Sequence, residues 1–266
     1  MKAALLLAIS ATTLASTSSK YDSCHSAKEY ITTYNFLKEN KVVSLKSGDI
    51  QKIANEVSNG CKHSAKRFIK IYSVLTRSGL EASNAINLAT EFSLKTDEHS
   101  KTFLTLFSES FLEKYLDLNI KDAVNISKKL ALDLDGDITK IKKDFQKTVS
   151  FCIDDKEINL TGPKCADIAT KVVTSGAKYN VELAPTFLKM FKYATSKKGT
   201  NLATYQAINL SLELIKNGPY ALKNFKDGFE FAREKKNLDL TNMKAIEFGK
   251  TMALRSSKIK LESHRE

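Results

Sequence analysis

Cys24-His-Ser-Ala-Lys-Glu-Tyr-Ile-Thr-Thr-Tyr34 and Cys61-Lys-His-Ser-Ala-Lys-Arg-Phe-Ile-Lys-Ile-Tyr72 are two versions of one pattern. In each, a cysteine and a His-Ser pair lead to an aromatic residue, and a second aromatic follows four positions later. The pattern recurs six times, at Tyr30, Phe68, Phe103, Phe145, Phe187 and Phe225, with successive spacings of 38, 35, 42, 42 and 38 residues. Four residues on stand Tyr34, Tyr72, Phe107, Val149, Phe191 and Phe229. A leucine then follows in every unit: Leu45, Leu80, Leu118, Leu160, Leu202 and Leu240.

Numbering from that leucine exposes a second stripe. Position +5 holds Ile50, Ala85, Ala123, Cys165, Ala207 and Ala245, and position +8 holds Ile53, Leu88, Ile126, Ile168, Leu210 and Phe248. Position +9 is always small, with Ala54, Ala89, Ser127, Ala169, Ser211 and Gly249, and position +12 holds Val57, Phe92, Leu130, Val172, Leu214 and Met252. Apolar residues at these offsets fall on one face of a helix with 3.6 residues per turn. The aromatic pair at i, i+4 makes a matching stripe on the helix before it. Each unit is therefore predicted to be a helical hairpin, helix A followed by helix B. One hairpin cannot bury both of its faces, so neighbours must stack.

The expected fold is all-α: an α-solenoid of about six stacked hairpins with a period of 35–42 residues. Pro163, Pro185 and Pro219 fall near predicted helix starts, and Gly60, Gly79, Gly199 and Gly218 between helices. Ser26 with Glu29 has the spacing of a capping box. The pattern resembles the helical hairpins of the HEAT-like and Armadillo-like repeat class, over roughly residues 26–253 and at the level of architecture. The resemblance implies a binding scaffold in which helix B lines the concave surface.

The chain has 266 residues, 42 Lys+Arg against 30 Asp+Glu, four Cys, three Pro and no Trp. Its apolar fraction of 42% excludes an intrinsically disordered class. Met1-Lys2 followed by a dozen mostly apolar residues, then small residues to Ser19, is the pattern of a bacterial secretory signal peptide. The expected organisation is a signal peptide and cleavage region over 1–19, one helical-repeat domain over 20–254 and a charged tail over 255–266. Units start near 24, 61, 98, 137, 181 and 219. The expected location is the periplasm or the exterior of a Gram-negative cell, with no stable membrane insertion.

An oxidising compartment and an even cysteine count suggest disulfides. Repeat equivalence favours Cys24–Cys61, ahead of the first two A helices, and Cys152–Cys165, facing each other across a hairpin neck. The latter would close a 14-residue loop, for a stabilisation of about 3 kcal/mol by chain entropy.

The polar positions of helix B supply the candidate binding surface: Asn87, Glu91, Asn125, Lys129, Asp167, Lys171, Asn209 and Glu213. A basic patch is expected toward the C-terminus at Lys189, Lys192, Lys197, Lys198, Lys223, Lys226, Arg233, Lys235 and Lys236, because residues 141–266 hold 23 basic against 14 acidic groups. Asp133, Asp135 and Asp137 match the first ligand positions of a calcium loop, although Ile138 stands where the turn glycine belongs. No metal or other cofactor is expected. No nucleophile elbow, zinc-protease motif, phosphate loop or dinucleotide fingerprint occurs, which argues against an enzyme. The reading is an exported, non-catalytic scaffold for a protein partner. The alternatives are a binder of an anionic polymer through the basic C-terminal repeats, and an inhibitor or immunity protein for a secreted hydrolase.

Overall fold

The computed structural model describes residues 25–39, 45–154, 158 and 160–262, with the backbone alone over 255–262. The expected signal peptide, Cys24 and the far end of the tail lie outside the described residues. Twelve α-helices account for most of the rest, and no strand occurs among the described residues. They are α1 (Ala27–Glu39), α2 (Ser47–Ser58), α3 (Ser64–Arg77), α4 (Ala82–Ser93), α5 (Asp97–Phe111), α6 (Ile120–Lys128), α7 (Ile138–Asp154), α8 (Gly162–Tyr179), α9 (Ala184–Thr195), α10 (Thr204–Ile215), α11 (Ala221–Arg233) and α12 (Asn242–Glu262). A π-helical turn, Lys129–Asp133, continues α6. The protein is all-α.

The helices pack most extensively in consecutive pairs, from α1 with α2 to α11 with α12. Odd-numbered helices also touch along the chain, α1 to α3, α3 to α5, α5 to α7 and α7 to α9. Even-numbered helices do so at α2–α4 and α8–α10. Phe68, Phe103, Phe145, Phe187 and Phe225 are fully buried, as are Ala54, Ala89, Ser127, Ala169 and Ser211 at the close-approach position. Met252 departs from its register. It is 40% exposed, on α12, the last helix among the described residues.

A third aromatic, six residues after the first, wedges the pairs together. Phe36 stands edge-on to Phe68 and Tyr72 at 6.3 and 5.7 Å between ring centroids. Phe151 does the same to Phe187 and Phe191, and Tyr193 to Phe225 and Phe229. Edge-to-face rings add to the burial term because the positive ring edge meets a negative face. The same place in the third unit is Glu109. Gln146 Nε2 donates to its Oε1 at 2.6 Å, while Oε2 is buried without a partner. Burial pushes the Glu109 carboxyl above the ordinary glutamate range, against the opposing hydrogen bond from Gln146.

One turn geometry joins three of the pairs. In Leu112–Leu118, Ser196–Leu202 and Glu234–Leu240, the residue before the leucine is left-handed: Asp117 at φ 50°, Asn201 at 50° and Asp239 at 46°. Asp and Asn tolerate this region better than other side-chain-bearing residues. It aims the next N–H back into the helix. Leu118 N–H donates to Ser110 O at 2.9 Å, and Leu202 and Leu240 donate to Ala194 O and Ala232 O at 2.8 Å each. The repeated leucine thus closes the end of the preceding helix.

The polar residue just before the first aromatic links neighbouring pairs where it is Glu29, Arg67 or Asp144. Helices α3 and α9 begin without a side-chain cap of their own. The Glu29 carboxylate, in α1, accepts from His63 N–H at 3.3 Å, Ala65 N–H at 2.7 Å and Ser64 Oγ at 3.4 Å. The Asp144 carboxylate, in α7, accepts from Leu183 N–H and Ala184 N–H at 2.8 Å each. Burial raises the Asp144 pKa even so, outweighing those two donors. Helices α5 and α7 instead have local caps. Thr96 Oγ1 accepts from His99 N–H, and Asp137 Oδ1 from Thr139 N–H. The residues in the linking register ahead of them are Arg67 and Thr102 rather than carboxylates. Helix α11 starts with neither device: its own start carries no side-chain cap, and Thr186 fills the register before it. The Ser26–Glu29 capping box is half formed. Ser26 Oγ accepts from Glu29 N–H at 3.4 Å, but Ser26 N–H donates to Ser58 O while the Glu29 carboxylate crosses to α3.

Arg67 is 8% exposed and satisfies all five of its N–H donors. Nε and Nη2 donate to Ser93 O at 3.2 and 2.7 Å, Nη2 to Gly60 O at 2.8 Å, and Nη1 to Lys62 O at 3.1 Å and Asp97 Oδ1 at 2.8 Å. One guanidinium therefore ties the segment after α2 and the end of α4 to the start of α5. A Cβ at Gly60 would collide with the Ser93 carbonyl oxygen, so this crossing also requires glycine.

Arg67→Ala should destabilise the protein by about 3–5 kcal/mol, since it strands buried carbonyls and the Asp97 carboxylate. Arg67→Lys should recover little of this, because a point charge cannot replace a five-donor fork. Urea unfolding of both variants checks it, and a wild-type midpoint for Arg67→Lys would contradict the fork. Glu109 gives a pH test. Its pKa is raised on folding, so the folded state keeps a proton that the unfolded chain releases, and stability falls as pH rises through that window. Glu109→Gln should remove this fall and raise the neutral-pH Tm by roughly 2–4 °C. Thermal melts from pH 4 to 8 would show it, and unchanged pH dependence would count against it.

Candidate functional site

The even-numbered helices carry the polar positions singled out in the sequence. Asn87, Asn125, Asp167 and Asn209 are exposed, because each precedes an inward-facing +8 residue and points away from the paired helix. Two grooves gather them. The first, of about 490 Å³, runs between α2 and α4, with Lys52 and Glu56 on one wall and Asn87 and Glu91 on the other. The second, of about 390 Å³, lies between α6 and α8 and brings together Asn125, Lys129 and Asp167. Leu45, Ile53 and Ile86 line the first groove, and Leu118 and Ile126 the second. Each groove thus combines an apolar floor with a rim of donors and acceptors.

Ion pairs run along the same face. Lys128 Nζ meets Glu91 Oε2 at 2.7 Å and joins α6 to α4. Lys171 pairs with Asp167 at 2.6 Å one helical turn away. Lys250 of α12 bridges Glu213 of α10 at 3.0 Å and Glu247 at 3.1 Å. Its hydrogen bonds to the two glutamates raise the Lys250 pKa although burial pulls the other way. Asn209 and Glu213 therefore extend the line onto α10 but lie outside the two grooves. The π turn at Lys129 widens the helix by one residue while keeping Leu130 buried. It displaces the polar row at this point, which helical periodicity does not foresee.

The C-terminal cations are spread over two helices and the turns that follow them. Lys189 and Lys192 stand on α9 and Lys223 and Lys226 on α11, while Lys197, Lys198, Lys235 and Lys236 sit in the turns that follow. Lys226 Nζ covers the Tyr193 ring at 4.4 Å, Lys236 pairs with Glu234 at 3.4 Å, and Arg233 donates to Leu240 O at 3.5 Å. Several of these charges thus have local roles beside solvation.

The candidate calcium loop does not assemble. Asp137 Oδ1 is engaged by the N–H groups of Thr139 and Lys140, and these hydrogen bonds hold its carboxyl below the ordinary range. Asp133 ends the π turn. Among the described residues, no three His, Cys, Asp or Glu side chains converge on a metal position. His63 Nδ1 instead approaches Asp97 Oδ2 at 3.4 Å. His99 Nδ1 lies 2.7 Å from Thr96 Oγ1 in a helix-start contact, and burial lowers its pKa.

The expected Cys152–Cys165 disulfide is not present; both cysteines are free, buried thiols. They do meet across the α7–α8 pair, as the repeat register predicted. The side-chain hydrogen bond between them, with burial, pushes the Cys152 thiol well above the ordinary range. Both thiols are buried and pack as small apolar groups. Cys61 is disulfide-bonded. Its expected partner, Cys24, lies outside the described residues.

Sequence reasoning missed a different cluster. Lys28, Lys66, Lys70, Arg77 and Lys101 share the outer face of α1, α3 and α5. Counting charge by halves of the chain hid them, because residues 16–140 hold 18 basic and 16 acidic groups in all. Counting helix by helix would have pointed to α3, whose four charged side chains, Lys66, Arg67, Lys70 and Arg77, are all basic.

No family model matches the chain, and neither does any curated protein or solved structure. Among the described residues, no helix is long and apolar enough to cross a membrane.

The cysteine arrangement predicts a thiol count. The unreduced protein should titrate two thiols after denaturation and none, over minutes, while folded. Zero thiols after denaturation would restore the Cys152–Cys165 cross-link, and fast reaction of the folded protein would contradict its burial.

Proposed function

We propose that the chain is an exported, non-catalytic scaffold, built as an α-solenoid of six helical hairpins, that binds a protein partner across its even-numbered helices. The observation that carries the reading is the succession of grooves on that face, each with an apolar floor and a charged or amide rim. An apolar centre ringed by polar groups is the make-up of a protein interface. The stacked arrangement is supported by packing between consecutive pairs, by the aromatic wedge repeated in three units and by the turn repeated in three units. Export rests on the N-terminal sequence pattern, and the non-catalytic reading on the lack of any motif with a nucleophile and base in register.

The test is capture from a cell-envelope extract on the immobilised mature chain, eluted by salt and then by denaturant. A discrete protein should survive high salt and be lost when Asn87, Glu91, Asn125 and Lys129 are changed together to alanine. An affinity loss of tenfold or more is expected from a few central contacts. A partner retained by that variant would remove the even-helix face from the interface. Elution of nucleic acid or an anionic polymer at low salt alone would favour binding through Lys197, Lys198, Lys235 and Lys236 instead.

A further inference from the structure

The odd-numbered helices of the first three units carry a second groove, remote in function from the face just described. It has two connected parts. One, of about 710 Å³, lies between α1 and α3, and the other, of about 130 Å³, between α3 and α5; both include Lys66 and Lys70. Lys28 stands on the α1 side, Lys101 on the α5 side and Arg77 at the far end of α3. All five cations are exposed, and none forms an ion pair among the described residues.

The carboxylates that face the groove are already committed. Glu29 is consumed by the start of α3, and Asp97 by Arg67 and His63. The hydrogen bond from Arg67 holds the Asp97 carboxyl below its ordinary range. Neutralisation begins only one helix further on, where Lys142 pairs with Glu98, and Lys143 and Lys147 pair with Glu182. The cations that line this groove, on α1, α3 and α5, are therefore left without ion-pair partners among the described residues. That is a local feature, since residues 16–140 are nearly neutral as a whole.

The shape and floor of the groove select among anions. Lys66 and Lys70 are one turn apart, a rise of about 6 Å, and Arg77 lies about 16 Å along α3 from Lys66. Alternate residues of an extended peptide repeat at about 6.8 Å, close to the lysine spacing. Between the cations the floor is apolar, formed by half-buried Ile69 and Val74. Single-stranded nucleic acid would call for aromatic platforms as well as charge, and no Phe, Tyr or Trp lines either part of the groove, where His63 is the one ring and is drawn to Asp97. We infer that this groove is a docking site for an extended acidic segment of a partner protein, with carboxylates set against Lys66, Lys70 and Arg77 and intervening apolar side chains resting on Ile69 and Val74. The inference does not depend on the even-helix interface.

A fluorescent ten-residue peptide alternating Glu and Val tests it by polarisation on the full mature chain at 0.15 M salt. The wild type should bind, and Lys66→Glu/Lys70→Glu should weaken binding by at least about tenfold, as loss of several charge contacts at one site implies. Arg77→Glu, at the far end, should weaken it by a smaller factor. Lys197→Glu/Lys198→Glu, which makes the same change in net charge elsewhere, should bind like the wild type. All five cations changed here are exposed, and circular dichroism confirms that each variant is folded. Equal weakening by both double variants would overturn the site, since it would show attraction to net charge alone. So would the absence of wild-type binding, or equally tight binding of a single-stranded oligonucleotide of the same charge.

Discussion

Helices α3 and α9 begin with N–H groups that no residue of their own start can satisfy, and that deficit shapes the neighbouring pairs. The missing acceptors are Glu29 and Asp144, each one residue before the first aromatic of the preceding unit. The carboxylate can reach only if the two odd helices lie side by side with a fixed offset. The buried aromatics on the same turn then have no freedom in where they sit. Backbone satisfaction and core packing thus specify the same register, and a helix dipole meeting a negative group adds to both. Where a start has its own cap, as at Thr96 and Asp137, the register residue is released for other work. Arg67 uses that freedom to gather backbone carbonyls from three directions.

The apolar half of this architecture was legible in the sequence. The i, i+4 aromatics and the small residue at +9 occupy the core in almost every unit because those places contact two neighbours at once and admit few side chains. The polar half was not legible in the same way. Ser26 and Glu29 have the spacing of a self-contained capping box, and local spacing cannot reveal that the carboxylate finds better donors 34 to 36 residues away. The left-handed Asp or Asn before Leu118, Leu202 and Leu240 was visible as a residue type, but its meaning came only from the turn. The π turn after α6 left no mark in an apolar pattern that is preserved through it.

The candidate surfaces illustrate a related limit. The polar ladder on the even helices was readable because it is tied to the apolar stripe by a fixed offset. Which of its members share a groove depends on how far each helix is rotated against the next. Asn209 and Glu213 continue the row without joining a groove for this reason. The basic face of α1, α3 and α5 was concealed by arithmetic, since acidic groups elsewhere on these helices and in the turns cancel it in any sum taken along the chain. The cysteines divide in the same way. Repeat position placed Cys152 against Cys165, but whether two adjoining sulfurs share a proton or a bond is a matter of chemistry that position does not decide.

The caps supplied from one unit to the next also have a direction. Glu29 precedes the helix it serves by 34 to 36 residues, and Asp144 precedes the N–H groups it serves by 39 and 40. In both cases the acceptor is made first. A chain leaving the ribosome, or threading N-terminus first through a translocation pore, presents finished α1 and α7 with their carboxylates waiting before α3 and α9 emerge. At these two junctions growth can therefore proceed as templating, the new helix docking onto a surface that already holds the group it lacks. A chain refolding from its C-terminal end would have no such guide at α3 or α9.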